Sequence, residues 1–282
     1  MSALLSVTGL VKEYRRRGAG RKAEPFRAVD GVSFDLEAGR TLAIVGESGS
    51  GKSTTGRCVL RLVEPTAGTV MYDGDDLTAA SPAALRKHRR DMQIVFQDTY
   101  ASLDPRWTVG RLLSEPLMEH ESLSRSEQMV RVDDMLERVG LEAAFANRYP
   151  HEFSGGQRQR IGIARALMLS PRLVVCDEPV SALDVSVQAQ VLNLMKDLQD
   201  ELGLSYLFIS HDIAVVEFMA DDMIVMKHGK VVEAGDAKQI IDDPQDPYTR
   251  ALIAAVPIPD PTAYVDRAER RAVIAAGVGQ AS

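Results

Sequence analysis

The run Gly46-Glu47-Ser48-Gly49-Ser50-Gly51-Lys52-Ser53 leaves this chain few choices of fold. It fits the pattern G-x-x-x-x-G-K-[ST] and follows the apolar stretch 41–45. Such a loop works only if a strand delivers it and a helix leaves it. Its backbone amides can then point inward at phosphate oxygens, a geometry that side chains at Gly46, Gly49 and Gly51 would block. Ser48, Ser50 and Thr54 belong to the same cradle. Lys52 adds a point charge toward the β- and γ-phosphates, and the Ser53 hydroxyl is a candidate ligand for Mg²⁺. The expected fold class is therefore α/β.

At 282 residues the chain suits one large domain or two small ones. A net charge of −7 advertises no polyanion-binding surface, so no nucleic-acid partner is expected. The two cysteines, Cys58 and Cys176, lie far apart inside apolar segments and read as small core residues of a cytosolic protein. No apolar stretch approaches the roughly 20 residues that cross a bilayer. Residues 1–14 lack a basic region followed by an apolar run, so no secretion signal is expected. Any membrane contact would come through a partner.

The first part reads as short strands over 4–11, 32–36 and 41–45, broken at Gly31 and Gly39. The basic run 15–22 between them reads most simply as a solvated hairpin loop, with attraction to ATP phosphates or anionic lipid as the sharper reading. A helix is expected from Lys52 until Glu64-Pro65 stops it, then strands over 69–72 and 93–96. From about residue 98 to 150 strand signals give way to helical ones. Ser124-Arg125-Ser126-Glu127 is a capping box, and Val132, Leu136 and Val139 then share one face up to Gly140. This predicts a small helical subdomain inserted into the α/β core. The core resumes with a helix over 156–169, a strand over 173–176, and an amphipathic helix carrying Val187, Val191, Leu194, Leu198 and Leu202 up to Gly203. Strands over 206–209 and 223–226 complete an alternating pattern, which implies a mainly parallel sheet.

Two further strings carry chemistry. Leu173-Val174-Val175-Cys176-Asp177-Glu178 is a buried strand ending in two carboxylates; Asp177 suits the Mg²⁺ side of a nucleotide site, and Glu178 is the natural candidate to orient or deprotonate an attacking water. Ser154-Gly155-Gly156-Gln157 opens a helix, whose free amides and positive dipole end would face an anion.

In this order and spacing the three strings resemble the ATP-binding cassette of ABC transporters, over nearly the whole chain. The resemblance implies a P-loop NTPase (RecA-like) core with an antiparallel β-subdomain and an inserted α-helical signature subdomain. It divides the chain into 1–97 with 171–242 (core and β-subdomain), 98–170 (helical subdomain) and 243–282 (C-terminal extension). Ser154-Gly155-Gly156-Gln157 then matches the signature motif that faces the γ-phosphate of ATP held by the other subunit, with Phe153 where many members carry leucine. Tyr14 matches the aromatic that stacks on adenine, although a tyrosine at a strand end also serves in packing. Gln97 matches the glutamine that contacts Mg²⁺ and the attacking water, Asp184 the aspartate loop at the dimer interface, and His211 the histidine that holds the γ-phosphate and the base.

Within the family, Asp184-Val185-Ser186-Val187-Gln188 and Tyr100-Ala101-Ser102-Leu103-Asp104-Pro105 are similar to the ATPase subunits of oligopeptide/dipeptide importers. So is Asp246-Pro247-Tyr248-Thr249-Arg250, with Asp246 where His is common. That departure lies outside the catalytic strings and is not expected to affect ATP chemistry. With no cysteine after Cys176, the iron–sulfur cluster of some relatives is not expected. The resemblance implies ATP and Mg²⁺, a sister ATPase subunit (or a homodimer), two transmembrane permeases and an extracytoplasmic solute-binding protein, at the cytoplasmic face of the membrane. Nickel or another small solute as cargo, and a soluble ABC ATPase unconnected with transport, are the alternatives.

Overall fold

The computed structural model describes residues 3–14, 26–98 and 102–255. The basic run 15–22, the Tyr100-Ala101 pair and the tail beyond 255 lie outside the described residues. Two sheets organise the rest. β1 (Leu5–Tyr14), β2 (Phe26–Leu36), β4 (Ala67–Tyr72) and β5 (Asp75–Asp76) form an antiparallel sheet in the order β2-β1-β4-β5. β3 (Thr41–Val45), β6 (Met92–Val95), β7 (Leu173–Asp177), β8 (Ser205–Ser210), β9 (Asp222–Lys227) and β10 (Lys230–Asp236) form the second, in the order β10-β9-β3-β8-β7-β6. Five of those strands run parallel, and β10 folds back antiparallel onto β9.

The helices are α1 (Lys52–Val59), α2 (Pro82–Asp91), α3 (Val109–His120), α4 (Arg125–Arg138), α5 (Gly155–Leu167), α6 (Val185–Leu202), α7 (Ile213–Met219), α8 (Ala237–Asp242) and α9 (Pro247–Ala254). Successive strand residues point to opposite faces, and the parallel strands are apolar on both. Thus Val175, Leu207 and Ile209 meet the antiparallel sheet and α1 on one side. Val174, Cys176, Tyr206 and Phe208 meet α3–α6 on the other. Ala43 and Val45 share a third cluster with Ile213, Ile240 and Ile253, from α7, α8 and α9.

Several expectations change. α1 ends at Val59 rather than at Glu64-Pro65. Arg61 takes a left-handed backbone (φ 46°) that turns its guanidinium onto the carbonyls of Leu77 and Ala80 at 2.6 and 2.8 Å. Gly31 does not break a strand: at φ 75° it sits inside β2, in a bulge where the pairing with β1 shifts register. Both strands of that pair are longer than expected. The C-terminal region supplies ordered elements that the sequence reading left blank: α8, then α9 opened by Asp246 and Pro247.

Candidate functional site

Parallel strands present their carboxyl ends at one edge, which is where ligands bind in open α/β sheets. Here β3, β8, β7 and β6 are consecutive neighbours. Each of the chemical strings leaves that edge: the glycine loop after β3, His211 after β8, Glu178 after β7, Gln97 after β6. They converge on a cavity of about 760 Å³ lined by Tyr14, Gly46, Ser48, Gly49, Gly51, Lys52, Ser53, Thr54, Gln97, Glu178 and His211.

The loop is held so tightly that two glycines are obligatory. A Cβ on Gly46 (φ 147°) would stand 2.2 Å from Met226 O, and one on Gly51 (φ 106°) 2.2 Å from Ala28 O. Lys52 is only 4% exposed, and its Nζ donates to Gly46 O and Glu47 O at 2.7 and 2.9 Å. Burial pulls its pKa below that of an ordinary lysine, against the opposing pull of Glu178, Asp177 and Glu47. Ser50 does not line the cavity. Its side chain is buried beneath the loop, where Oγ finds no hydrogen-bond partner among the described residues. Its backbone serves instead, with N–H donating to Glu47 O and carbonyl accepting from Gly229 N.

Ser53 Oγ donates to Asp177 Oδ1 at 2.6 Å, and Arg57 Nη2 stands 3.4 Å from Oδ2 of the same carboxylate. Glu178 takes a left-handed backbone (φ 50°), fixed by its N–H donating to Ile209 O. Gln97 Nε2 donates to Glu178 Oε2 at 3.0 Å, and His211 Nδ1 stands 3.0 Å from that same oxygen. Two residues that follow the strands on either side of β7 thus grip one carboxylate oxygen and set the direction of the other.

The signature residues take no part in this cavity. Ser154 and Gln157 form a reciprocal capping box at the start of α5, with Ser154 Oγ accepting from Gln157 N and Gln157 Oε1 accepting from Ser154 N. Gly155 and Gly156 pack against Leu183 and Val187. Asp184 caps α6 by accepting from Val187 N and Ser186 Oγ, which holds its carboxyl below the usual range. The cavity also has walls the sequence reading missed: Phe26, Ala28, Glu47 and, from α9, Leu252. Phe26 could have been flagged as an aromatic beside the loop; nothing local marks Leu252. The C-terminal region, to which the sequence reading gave no role, therefore contributes a wall of this cavity.

Residues 29–181 match the family model "ABC transporter", and residues 232–277 match "Oligopeptide/dipeptide transporter, C-terminal region". The chain is 55% identical to the dipeptide transport ATP-binding protein DppF of Haemophilus influenzae, over 90% of this chain and 78% of that one. It is 53% identical to DppF of Escherichia coli, over 95% and 79%. The chain belongs to the ABC transporter family. It is an ATPase with the P-loop NTPase fold of that family. A post-hydrolysis dimer of an ATP-binding cassette bound to ADP and Pi is similar in structure, with TM-score 0.74 and 32% identity over 83% of this chain and 98% of that one.

The donors near Asp177 suit a hard cation. They are its own carboxylate and the Ser53 hydroxyl in contact with it; Gln97, which lines the cavity with Ser53, offers a side-chain oxygen as well. Among the described residues no group of three or more His, Cys, Asp or Glu could hold a metal ion. A cation held by these oxygens would take its remaining ligands from substrate phosphates and water, the habit of Mg²⁺.

Proposed function

We propose that this cassette is the ATP-hydrolysing subunit of an importer of oligopeptides or dipeptides, working from the cytoplasmic face of the membrane. The observation that carries the catalytic part is the Glu178 carboxylate, gripped at Oε2 by Gln97 and His211 across the cavity from the phosphate loop. The loop amides and Lys52 bind the phosphates. Asp177, Ser53 and Gln97 would hold Mg²⁺, which when bound neutralises charge on the β- and γ-phosphates. Glu178 orients a water onto the γ-phosphorus and accepts its proton as the bond to the β–γ bridging oxygen breaks.

Dimerisation is supported by what the cavity lacks. Ser154, Gly155, Gly156, Gln157 and Asp184 lie outside it, and Val185 beside Asp184 is 83% exposed. In the proposed assembly these residues meet the nucleotide of a second cassette, a sister subunit or another copy. Residues 98–170 then carry closure to two permeases, with Gln97 as the joint. No helix among the described residues is long and apolar enough to cross a membrane, which accords with dependence on permeases. The cargo follows from the C-terminal region and from the relatives named for dipeptide transport. An extracytoplasmic solute-binding protein completes the system, and no nucleic acid is involved.

The test is uptake of labelled di- and oligopeptides by cells carrying Glu178→Gln, with nickel uptake in parallel. Loss of peptide uptake alone is expected. Loss of nickel uptake alone would replace the cargo, and normal turnover of ATP by the purified variant would remove Glu178 from its role.

A further inference from the structure

The C-terminal helix reaches the phosphate loop as well as the cavity wall. Tyr248 Oη accepts the backbone N–H of Glu47 at 3.0 Å, across 201 positions of sequence. Glu47 is the second residue of the loop. Its carbonyl is already taken by Lys52 Nζ at 2.9 Å and by Ser50 N at 3.1 Å. The tyrosine therefore supplies the third hold on this residue, the one on its N–H.

Tyr248 is itself firmly placed. Its N–H donates to Asp246 Oδ1 at 2.8 Å, and the Lys227 ammonium sits 4.5 Å from its ring centre, a cation–π contact. Glu233 on β10 accepts from the backbone of Gln245 and Asp246 at 2.7 and 3.1 Å, tying down the start of α9. Ile253 packs into the cluster of Ala43 and Val45, on the strand that feeds the loop. Leu252, one turn after Tyr248 and on the same face, lines the cavity with Tyr14, Phe26 and Ala28. These apolar groups suit a nucleotide base, whereas the loop suits phosphates.

We propose that Tyr248 is a positioning residue for ATP binding: its hydroxyl holds the Glu47 peptide so that the loop's other amides stand ready for phosphate. This rests on the ATPase reading above. An unordered loop would pay for its ordering when nucleotide binds; a clamped loop does not, and affinity rises accordingly.

The experiment is Tyr248→Phe in the full chain, which deletes the hydroxyl and keeps the ring, the Lys227 contact and α9. Loss of one neutral hydrogen bond predicts about a fivefold rise in Kd and KM for ATP, larger than any change in kcat. Inorganic tripolyphosphate, which has no base, is expected to weaken in parallel; Leu252→Ala is expected to weaken ATP and spare tripolyphosphate. Wild-type ATP affinity in Tyr248→Phe, or a loss confined to kcat, overturns the proposal. Should that variant fold poorly, hydrogen exchange on the wild-type chain decides: slow exchange of the Glu47 amide before nucleotide is added supports the clamp, and fast exchange overturns it. Failure of the wild-type chain to bind ATP would instead sink the ATPase reading.

Discussion

Gly156 has no room for a side chain. A Cβ there would stand 2.3 Å from Val187 Cγ1, so the start of α5 lies directly on the first turn of α6. Gly156→Ala is expected to cost about 1–3 kcal/mol through overpacking, read as a lower urea midpoint with an unchanged slope. An unshifted midpoint would mean that α6 gives way freely. The same scale explains why Glu178 is more than an exposed carboxylate after a strand. Its left-handed backbone turns the chain at the end of β7, and Gln97 and His211 then meet it from β6 and β8. The identity of these residues could be read from the chain. That Gln97 and His211 share one oxygen could not, because the register between parallel strands decides it.

Among the elements, those whose signals are local were legible. The capping box at Ser124, the helix opened by the Ser154 run and the left-handed Gly203 that ends α6 stand where the residue types put them, whereas the cap that Asp184 supplies to α6 emerged only from the structure. α2 escaped notice because it buries only Leu85 and so shows no periodic face, although Ser81 and Pro82 form a proper start. α3 carries Val109, Leu112, Leu113 and Leu117 on its buried side but holds Pro116 within it, a residue that in sequence reads as a helix stop. α9 is capped by Asp246, which accepts from Tyr248 N and Thr249 N at 2.8 and 3.4 Å. Asp246→Ala is expected to loosen that helix by about 1 kcal/mol. Hydrogen exchange should show α9 amides exchanging faster while those of α6 are unchanged; equal protection in the variant would mean that burial of Thr249 and Ile253 holds α9 without a cap.

For the whole molecule, the proposal that a second cassette completes the site ties activity to assembly. If the signature motif of one cassette completes the site of another, specific ATPase activity should fall on dilution of the purified chain and recover when it is concentrated again. A rate per subunit that stays constant across the dilution series would mean that a single chain is a complete enzyme. The residues proposed to meet the second cassette, Ser154 to Gln157 and Asp184, form caps within their own subunit, which fixes their backbone geometry.

The sequence by itself determined the strand–loop–helix unit around Lys52, the buried strand that ends at Asp177 and Glu178, and the starts of α4 and α5. Each rests on forces acting within a few residues: glycine's backbone freedom, side-chain caps and the spacing of apolar groups. Only the tertiary structure decided that β8 lies between β3 and β7, that Arg61 ends α1 early, and that Tyr248 and Leu252 reach the loop and cavity. Those outcomes come from burying the two faces of one sheet at once, with β10 returning the chain so that α9 packs against β10 and Ile253 joins the cluster of Ala43 and Val45. A tyrosine some two hundred positions from the loop carries no mark of that meeting, because the contact exists only once those faces are covered.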